Sequence, residues 1–385
     1  MAAQAPHARS RPAKSGTALD HTIDSPALTS PGTALDRARV VLVIGESDTG
    51  KTTLVRDLAN TFHGAGSSVA LVDADIGQSE VGPPTTVGLG RVVRPLDRPS
   101  DAELVALRFV GATSAARDQV TTVVATRALV DRALELGVDR VIVDTSGLVR
   151  GELGRRLKQA KIDALRPDAV VALQRDGECE PILHAYGRSA RPAIVRLPAA
   201  VLPRRRTQED RRRHRERMLA AHLAGAQLAA LDLGRVVLRT PALFAGPALT
   251  AEELADAAEV VGQAVVWGER RGGEVAVVTE RALGEMEARA LSRRLRASGL
   301  VHHALDHLVG MLVGLDDETL DTLGLGVVAA LDLGGARMSV ETTVEPRRVA
   351  VVSIGRERYR AVSRSEEAAG GRAGEPRPDS RRGRG

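Results

Sequence analysis

Cysteine is almost missing from this chain: Cys179 is the only one in 385 residues. One thiol excludes an internal disulfide and any multi-cysteine zinc site, and it fits a reducing cytoplasm. Aromatic residues make up only 2%. A protein that reads bases by stacking them on aromatic platforms carries more, so any nucleic acid here is expected to be held through its charged backbone. No apolar run approaches the ~20 residues that span a bilayer, and no membrane partner is expected. Nor does an apolar stretch of roughly 7–15 residues follow a basic start, as a secretory signal requires. Lysine is scarce too. It stands only at positions 14, 51, 158 and 161, and arginine supplies nearly all of the 54 basic residues set against 49 acidic ones. Arginine suits bidentate phosphate binding. A general bias toward arginine and alanine codons explains the composition equally well, which makes a retained lysine such as Lys51 more informative.

What is present is enough for a core, since 43% of residues are hydrophobic. The length suggests two domains plus tails. Residues 1–36 are rich in Ala, Ser, Thr and Pro, repeat "GTALD" at 16–20 and 32–36, and read as a disordered lead. From 37 to 226, short β-branched runs alternate with helical stretches. Strands are expected over 39–45, 68–75, 103–111, 139–147, 168–174 and 192–198. Helices are expected after the first, third and fourth of these, over 51–63, 117–136 and 151–165. That alternation predicts an α/β fold with a parallel sheet covered by helices on both faces. Ligands in such sheets bind beyond the carboxyl ends of the strands. Residues 227–364 read as a smaller, mostly β domain with one helical stretch over about 279–298 and no catalytic constellation. The basic tail over 365–385 reads as disordered.

Residues 45–52, "GESDTGKT", fit G-x-x-x-x-G-K-[ST] in full, after a predicted strand and before a predicted helix. Gly45 and Gly50 let the backbone curl, so that the N–H groups of Glu46, Ser47, Asp48, Thr49 and the residues through Thr53 can face phosphate oxygens. The helix N-terminus adds partial positive charge. Lys51 is expected to reach the β- and γ-phosphates of ATP, and Thr52 to ligate Mg²⁺. Downstream, "VDADIGQSEVGPPT" carries Asp73 and Asp75 out of the second strand beside this loop. Residues two apart on an extended strand point to opposite faces, so one of the two can hold Mg²⁺ while the other faces an acceptor hydroxyl. Capping of the strand end is the bland alternative for either.

Taken with the phosphate loop, "DADIGQSEVGPPT" resembles the polynucleotide 5′-hydroxyl kinases. That family includes the RNA kinase associated with pre-mRNA cleavage and tRNA splicing, a ribosomal-RNA-processing relative and archaeal homologues. "FVGATS" (109–114), "DTSGLVRGELGRRL" (144–157), "RTQEDRRRHRERMLAAHLAG" (206–225) and "LGLGVVAALDL" (323–333) are similar to further stretches of that family. The resemblance implies a P-loop NTPase sheet with an Arg-rich lid within 200–226. It implies transfer of the γ-phosphate from ATP or another triphosphate, with Mg²⁺, to the 5′-OH of single-stranded RNA or DNA. It places Lys51 on phosphate, Asp75 as the proton acceptor, which leaves Asp73 for Mg²⁺, and Gln78 near phosphates or metal. Thr145 and Gly147 fall in the clasp on the terminal nucleotide, and Arg206, Arg211 and Arg215 in the lid.

Arg211 and Arg215 are four apart, hence on one helix face. The alternative for this charge run is a solvated helix whose arginines pair with Glu209, Asp210 and Glu216. Two departures from the family stand out. Leu148 replaces the clasp tryptophan, which removes stacking worth ~1–3 kcal/mol per base. The β domain that eukaryotic members carry before strand one has no counterpart, so nucleotide choice is expected to be broad. Two other functions fit the same motifs: an ATP-binding assembly or switch protein that transfers nothing, and a kinase of small, nucleoside-like acceptors. No protein partner is specified.

Overall fold

The computed structural model describes residues 33–199 and 207–359. The expected tail and most of the expected lead lie outside them. So does Arg206. Where the chain enters, Leu35 is already buried in the core, so the folded body reaches into the last residues of the expected lead.

The first sheet is built from β1 (Val40–Gly45), β2 (Val69–Ala74), β3 (Thr86–Val92), β4 (Glu103–Phe109), β5 (Arg140–Thr145), β6 (Ala169–Gln174) and β7 (Ala193–Pro198). Their order across the sheet is β4-β3-β2-β5-β1-β6-β7. β1 shows why a parallel sheet forms. All six residues of "VVLVIG" are buried, so both faces must be covered. Val40, Leu42 and Ile44 face helices α2 (Gln119–Glu135) and α3 (Gly151–Leu165). Val41 and Val43 face α1 (Lys51–Gly64), whose Leu54, Val55, Leu58 and Phe62 repeat at helical spacing. One strand departs from the expectation. β3 pairs antiparallel with both β2 and β4, so one edge of the otherwise parallel sheet is a meander. Its glycines, in "TVGLGRV", hide the strand pattern. At Gly88 an added Cβ would fall 1.9 Å from the Val81 carbonyl oxygen, so close packing demands glycine there.

After α4 (Gln208–His222) come β8 (Gln227–Asp232), β9 (Val237–Thr240), α5 (Ala251–Val261), β10 (Val265–Arg271), β11 (Glu274–Thr279), α6 (Glu285–Arg294), β12 (Gly299–Ala304), β13 (Met311–Asp316), β14 (Thr322–Asp332), β15 (Arg337–Thr342) and β16 (Val351–Arg358). They form a six-stranded sheet, β8-β15-β14-β13-β16-β9, and a three-stranded sheet, β10-β11-β12. Besides the expected helical stretch, which is α6, and a single turn at Leu305–Leu308, the longer α5 in the stretch "AEELADAAEVV" was missed although Thr250 and Glu253 form a capping box at its start.

The two parts meet closely. Neither Gly111 nor Gly355 carries a side chain, so their backbones can approach closely: a Cβ on Gly355 would lie 2.8 Å from the Gly111 carbonyl oxygen. The Arg356 N–H donates to that carbonyl at 2.6 Å. Glu357 accepts from the Thr113 N–H and hydroxyl at 3.2 and 2.9 Å. Leu219 of α4 and Leu223 at its C-terminal cap pack with Phe109 of β4 and with Leu312 and Leu325 of the second part, so the helix is rooted where the two parts meet.

Candidate active site

Parallel pairing of β2 with β5 and of β5 with β1 brings three strand tips side by side. The phosphate loop leaves β1. Gly50 closes it at φ 91°, a left-handed conformation that glycine adopts without strain, and α1 begins at Lys51. Thr49 and Lys51 both turn back onto the Glu46 carbonyl, at 2.9 and 2.6 Å. Glu46 itself is held by Arg150 and Arg175.

The structure brings Ser47, Asp48, Gly50, Lys51, Thr52 and Thr53 to one cavity of about 170 Å³, together with Asp75, Gln78 and Arg211. Asp75 lies just past the end of β2. Its Oδ1 accepts from the Gly77 and Gln78 N–H groups, both at 3.2 Å, and its other oxygen accepts nothing among the described residues. Gln78 Nε2 donates to the Arg211 carbonyl at 3.2 Å, while its buried Oε1 has no partner among the described residues. Arg211 Nη2 pairs with Asp48 at 2.9 Å. Arg215, one turn on, forms no ion pair among the described residues. The alternative reading of the lid as a self-paired charged helix holds for its other face: Arg212 pairs with Glu216 and Arg213 with Glu209, while Asp210 caps Thr207.

Asp73 does not reach this cavity. Its Oδ1 accepts from the Asp75 N–H at 3.0 Å, and its Oδ2 from the Glu80 and Val81 N–H groups at 2.6 and 3.0 Å. Burial and the nearby Asp144 push its carboxyl up to about 7, against those two N–H groups. With both oxygens engaged, Asp73 shapes the turn that presents Asp75, and a metal-ligand role does not fit it. The carboxylate beside Thr52 is Asp144, which sequence reasoning passed over: Thr52 Oγ1 donates to its Oδ2 at 3.0 Å. Burial raises the Asp144 pKa, and Lys51 opposes that rise. The signal was available, because "RVIVD" ends an apolar strand in an acid, but adjacency to β1 comes only from the sheet order.

The clasp residues divide. Thr145 points into the sheet, donating to the Val43 carbonyl at 2.8 Å and fully buried, so its side chain is turned away from the cavity. Gly147 lies on the phosphate loop; a Cβ there would fall 2.2 Å from Ser47 Oγ. Leu148 packs on the core as a half-buried residue and offers no exposed platform in place of the tryptophan.

A magnesium site built from one or two carboxylates plus phosphates is the usual kind. The Thr52 hydroxyl, Asp144 and the unpartnered Gln78 Oε1 supply oxygen donors of that chemistry. No helix among the described residues is long and apolar enough to cross a membrane.

Known proteins similar to this chain share one family. The family model for the mRNA cleavage and polyadenylation factor CLP1 P-loop matches residues 45–225. A polyribonucleotide 5′-hydroxyl-kinase of Pyrococcus furiosus is 29% identical over 331 residues, 85% of this chain and 89% of that protein. One from Thermococcus kodakarensis is 30% identical over 307 residues, 79% and 83% respectively. Among solved structures, the wild-type Clp1p–Pcf11p complex aligns with a TM-score of 0.54 at 12% identity, covering 83% of this chain and 74% of that one, which is a likeness of fold. This chain therefore belongs to the polyribonucleotide 5′-hydroxyl-kinase family, with a CLP1-type P-loop.

Proposed function

We propose that this protein is an ATP-dependent polynucleotide 5′-hydroxyl kinase. It moves the γ-phosphate of a nucleoside triphosphate to the 5′-OH end of RNA, and of DNA where the end is single-stranded. One observation carries the assignment: Asp75 faces the same cavity as Lys51, Thr52 and Arg211, with one carboxylate oxygen uncommitted. The loop N–H groups and Lys51 bind the triphosphate. Lys51 must leave the Glu46 carbonyl to do so. Arg211 and Arg215 bring charge to the equatorial oxygens of the transferred group. Asp75 takes the proton of the 5′-hydroxyl as its oxygen bonds to phosphorus and the bond to the diphosphate breaks. A base so placed contributes ~10²–10⁴-fold. Thr52, Asp144 and Gln78 are the residues that would hold Mg²⁺, which when bound neutralises charge on the β- and γ-phosphates.

The test is end-labelling with γ-labelled ATP, offered 5′-OH RNA, 5′-OH DNA and nucleosides in parallel. Label is expected on oligonucleotide ends and is lost in Lys51→Ala and Asp75→Asn. Label on nucleosides alone, or ATP binding with no labelled acceptor, overturns the assignment.

A further inference from the structure

Three of the four lysines in a chain dominated by arginine fall in this one region. Lys51 binds phosphate. The other two, Lys158 and Lys161, are three apart on α3 and share its buried face with Leu157, Ile162 and Leu165. Both are fully buried. A buried ammonium group is costly unless it is hydrogen-bonded and its charge is answered. Here the hydrogen bonds go to main-chain carbonyls at two neighbouring strand tips. Lys158 Nζ donates to the Ser146 carbonyl at 2.6 Å and lies 3.5 Å from its hydroxyl. Lys161 Nζ donates to the Ala74 carbonyl at 3.4 Å.

Those two carbonyls are not arbitrary. Ala74 separates Asp73 from Asp75, and Ser146 follows Asp144 by two residues. β2 and β5 pair in register there, Asp73 opposite Asp144 and Ala74 opposite Thr145. One helix face thus reaches beneath both tips that carry the carboxylates. Charge is answered in the same place. Burial pulls Lys161 down to about 8, while Asp75, Asp73 and Asp144 hold it up. Burial, Lys161 and Lys51 push Lys158 well below the ordinary lysine range, opposed by Asp75 and Asp144. Well-packed apolar side chains of similar size often match or exceed buried ions in stability. Stability therefore gives no reason for two lysines at these positions, whereas the hold they take on the two tips does.

We propose that Lys158 and Lys161 are positioning residues for phosphoryl transfer, fixing the tips of β2 and β5 so that Asp75 meets the acceptor hydroxyl and Asp144 meets Thr52. The proposal rests on Asp75 being the proton acceptor. Neither lysine touches substrate; each acts through the carboxylate beside the carbonyl it holds.

The test uses the full chain with Lys158→Met, Lys161→Met, Lys161→Arg, Asp75→Asn and the Asp75→Asn/Lys161→Met pair. Three quantities are read: thermal midpoint, affinity for a fluorescent ATP analogue, and the single-turnover rate of 5′-end phosphorylation. Both methionine variants are expected to keep nucleotide affinity within about threefold while the transfer rate falls at least about tenfold. Lys161→Arg recovers at least about threefold over Lys161→Met, and in the Asp75→Asn background Lys161→Met costs less than about twofold more. A rate within about threefold of the parent in either methionine variant overturns the role of that lysine. An undiminished Lys161→Met loss in the Asp75→Asn background overturns it as well, because the effect then does not pass through Asp75. If Lys161→Met fails to fold, Lys161→Gln replaces it: Arg faster than Gln supports the proposal, and equal rates overturn it. A parental rate in Asp75→Asn would instead remove the proton-acceptor assignment itself, an outcome distinct from a slow Asp75→Asn beside a fast Lys161→Met.

Discussion

Asp73, Asp75, Asp144 and Thr145 show how much of a polar residue's role lies in which neighbours reach it. All four sit within two strand tips that pair side by side. The carboxylates of Asp73 and Asp75 look equivalent in the string "DAD", yet one is consumed by the N–H groups of its own turn and the other keeps an oxygen for the cavity. Thr145 is a parallel case, because its hydroxyl is spent on the Val43 carbonyl of the adjacent strand. Replacing Thr145 by Val should then lower stability by about 1–2 kcal/mol, the cost of a lost buried hydrogen bond and an unsatisfied carbonyl. Chemical denaturation checks that. The same variant should phosphorylate 5′ ends at close to the parental rate; a severe rate loss with an unchanged denaturation midpoint would return Thr145 to the substrate side. Lys51 and Thr52 were legible from the motif alone, because the motif is local: loop curvature, helix start and hydroxyl are all set within eight residues.

At the scale of the element, the lid helix α4 is decided by its two faces and its cap. Thr207 and Asp210 form a capping box, and acidic residues fill the first turn. Arg212 and Arg213 are tied within the helix, which leaves Arg211 to cross to Asp48. Leu219 and Leu223 anchor its far end on the β14–β13 side. Arg211→Ala is expected to slow single-turnover transfer by about 10²-fold or more, the scale of an arginine that meets transition-state charge. Thr207→Ala, which removes only the cap, should cost about 1 kcal/mol of helix stability and far less rate. Equal rate losses in the two variants would mean that lid order, not the guanidinium, is what matters. The sequence displayed the charge run and the i,i+4 spacing. Which arginines pair among themselves depended on side-chain reach around the helix, which no linear pattern specifies.

At the scale of the whole molecule, the second part braces the site. Gly77, beside Asp75, packs so closely on the Thr113 carbonyl that a Cβ would fall 2.4 Å from it. Thr113 in turn is held by Glu357 of β16, and Gly111 by the Arg356 N–H. The turn that presents Asp75 thus rests on a loop fixed from the C-terminal sheet. Gly355→Val should force these layers apart and cost about 1–3 kcal/mol, the usual range for overpacking. A lowered thermal midpoint together with slower transfer is the expected pair of results; a lowered midpoint with an unchanged rate would separate the brace from the chemistry. Nothing in the linear string hints at this coupling, since Gly111 after β4 and Gly355 within β16 look unremarkable until the two backbones meet.

The amino-acid sequence by itself determined the sheet of buried β-branched strands and the phosphate loop with Lys51 and Thr52, and its resemblance to the kinase family pointed to Arg211 and Asp75. The strands and the loop depend on contacts among residues close in the chain; the two candidates depend on motifs shared with that family. Only the tertiary structure decided that Asp144 stands beside Thr52, that Asp73 and Thr145 are turned away from the cavity, and that Lys158 and Lys161 lie beneath both strand tips. Strand order sets those relations, and it is fixed by long-range packing of faces that look alike in sequence.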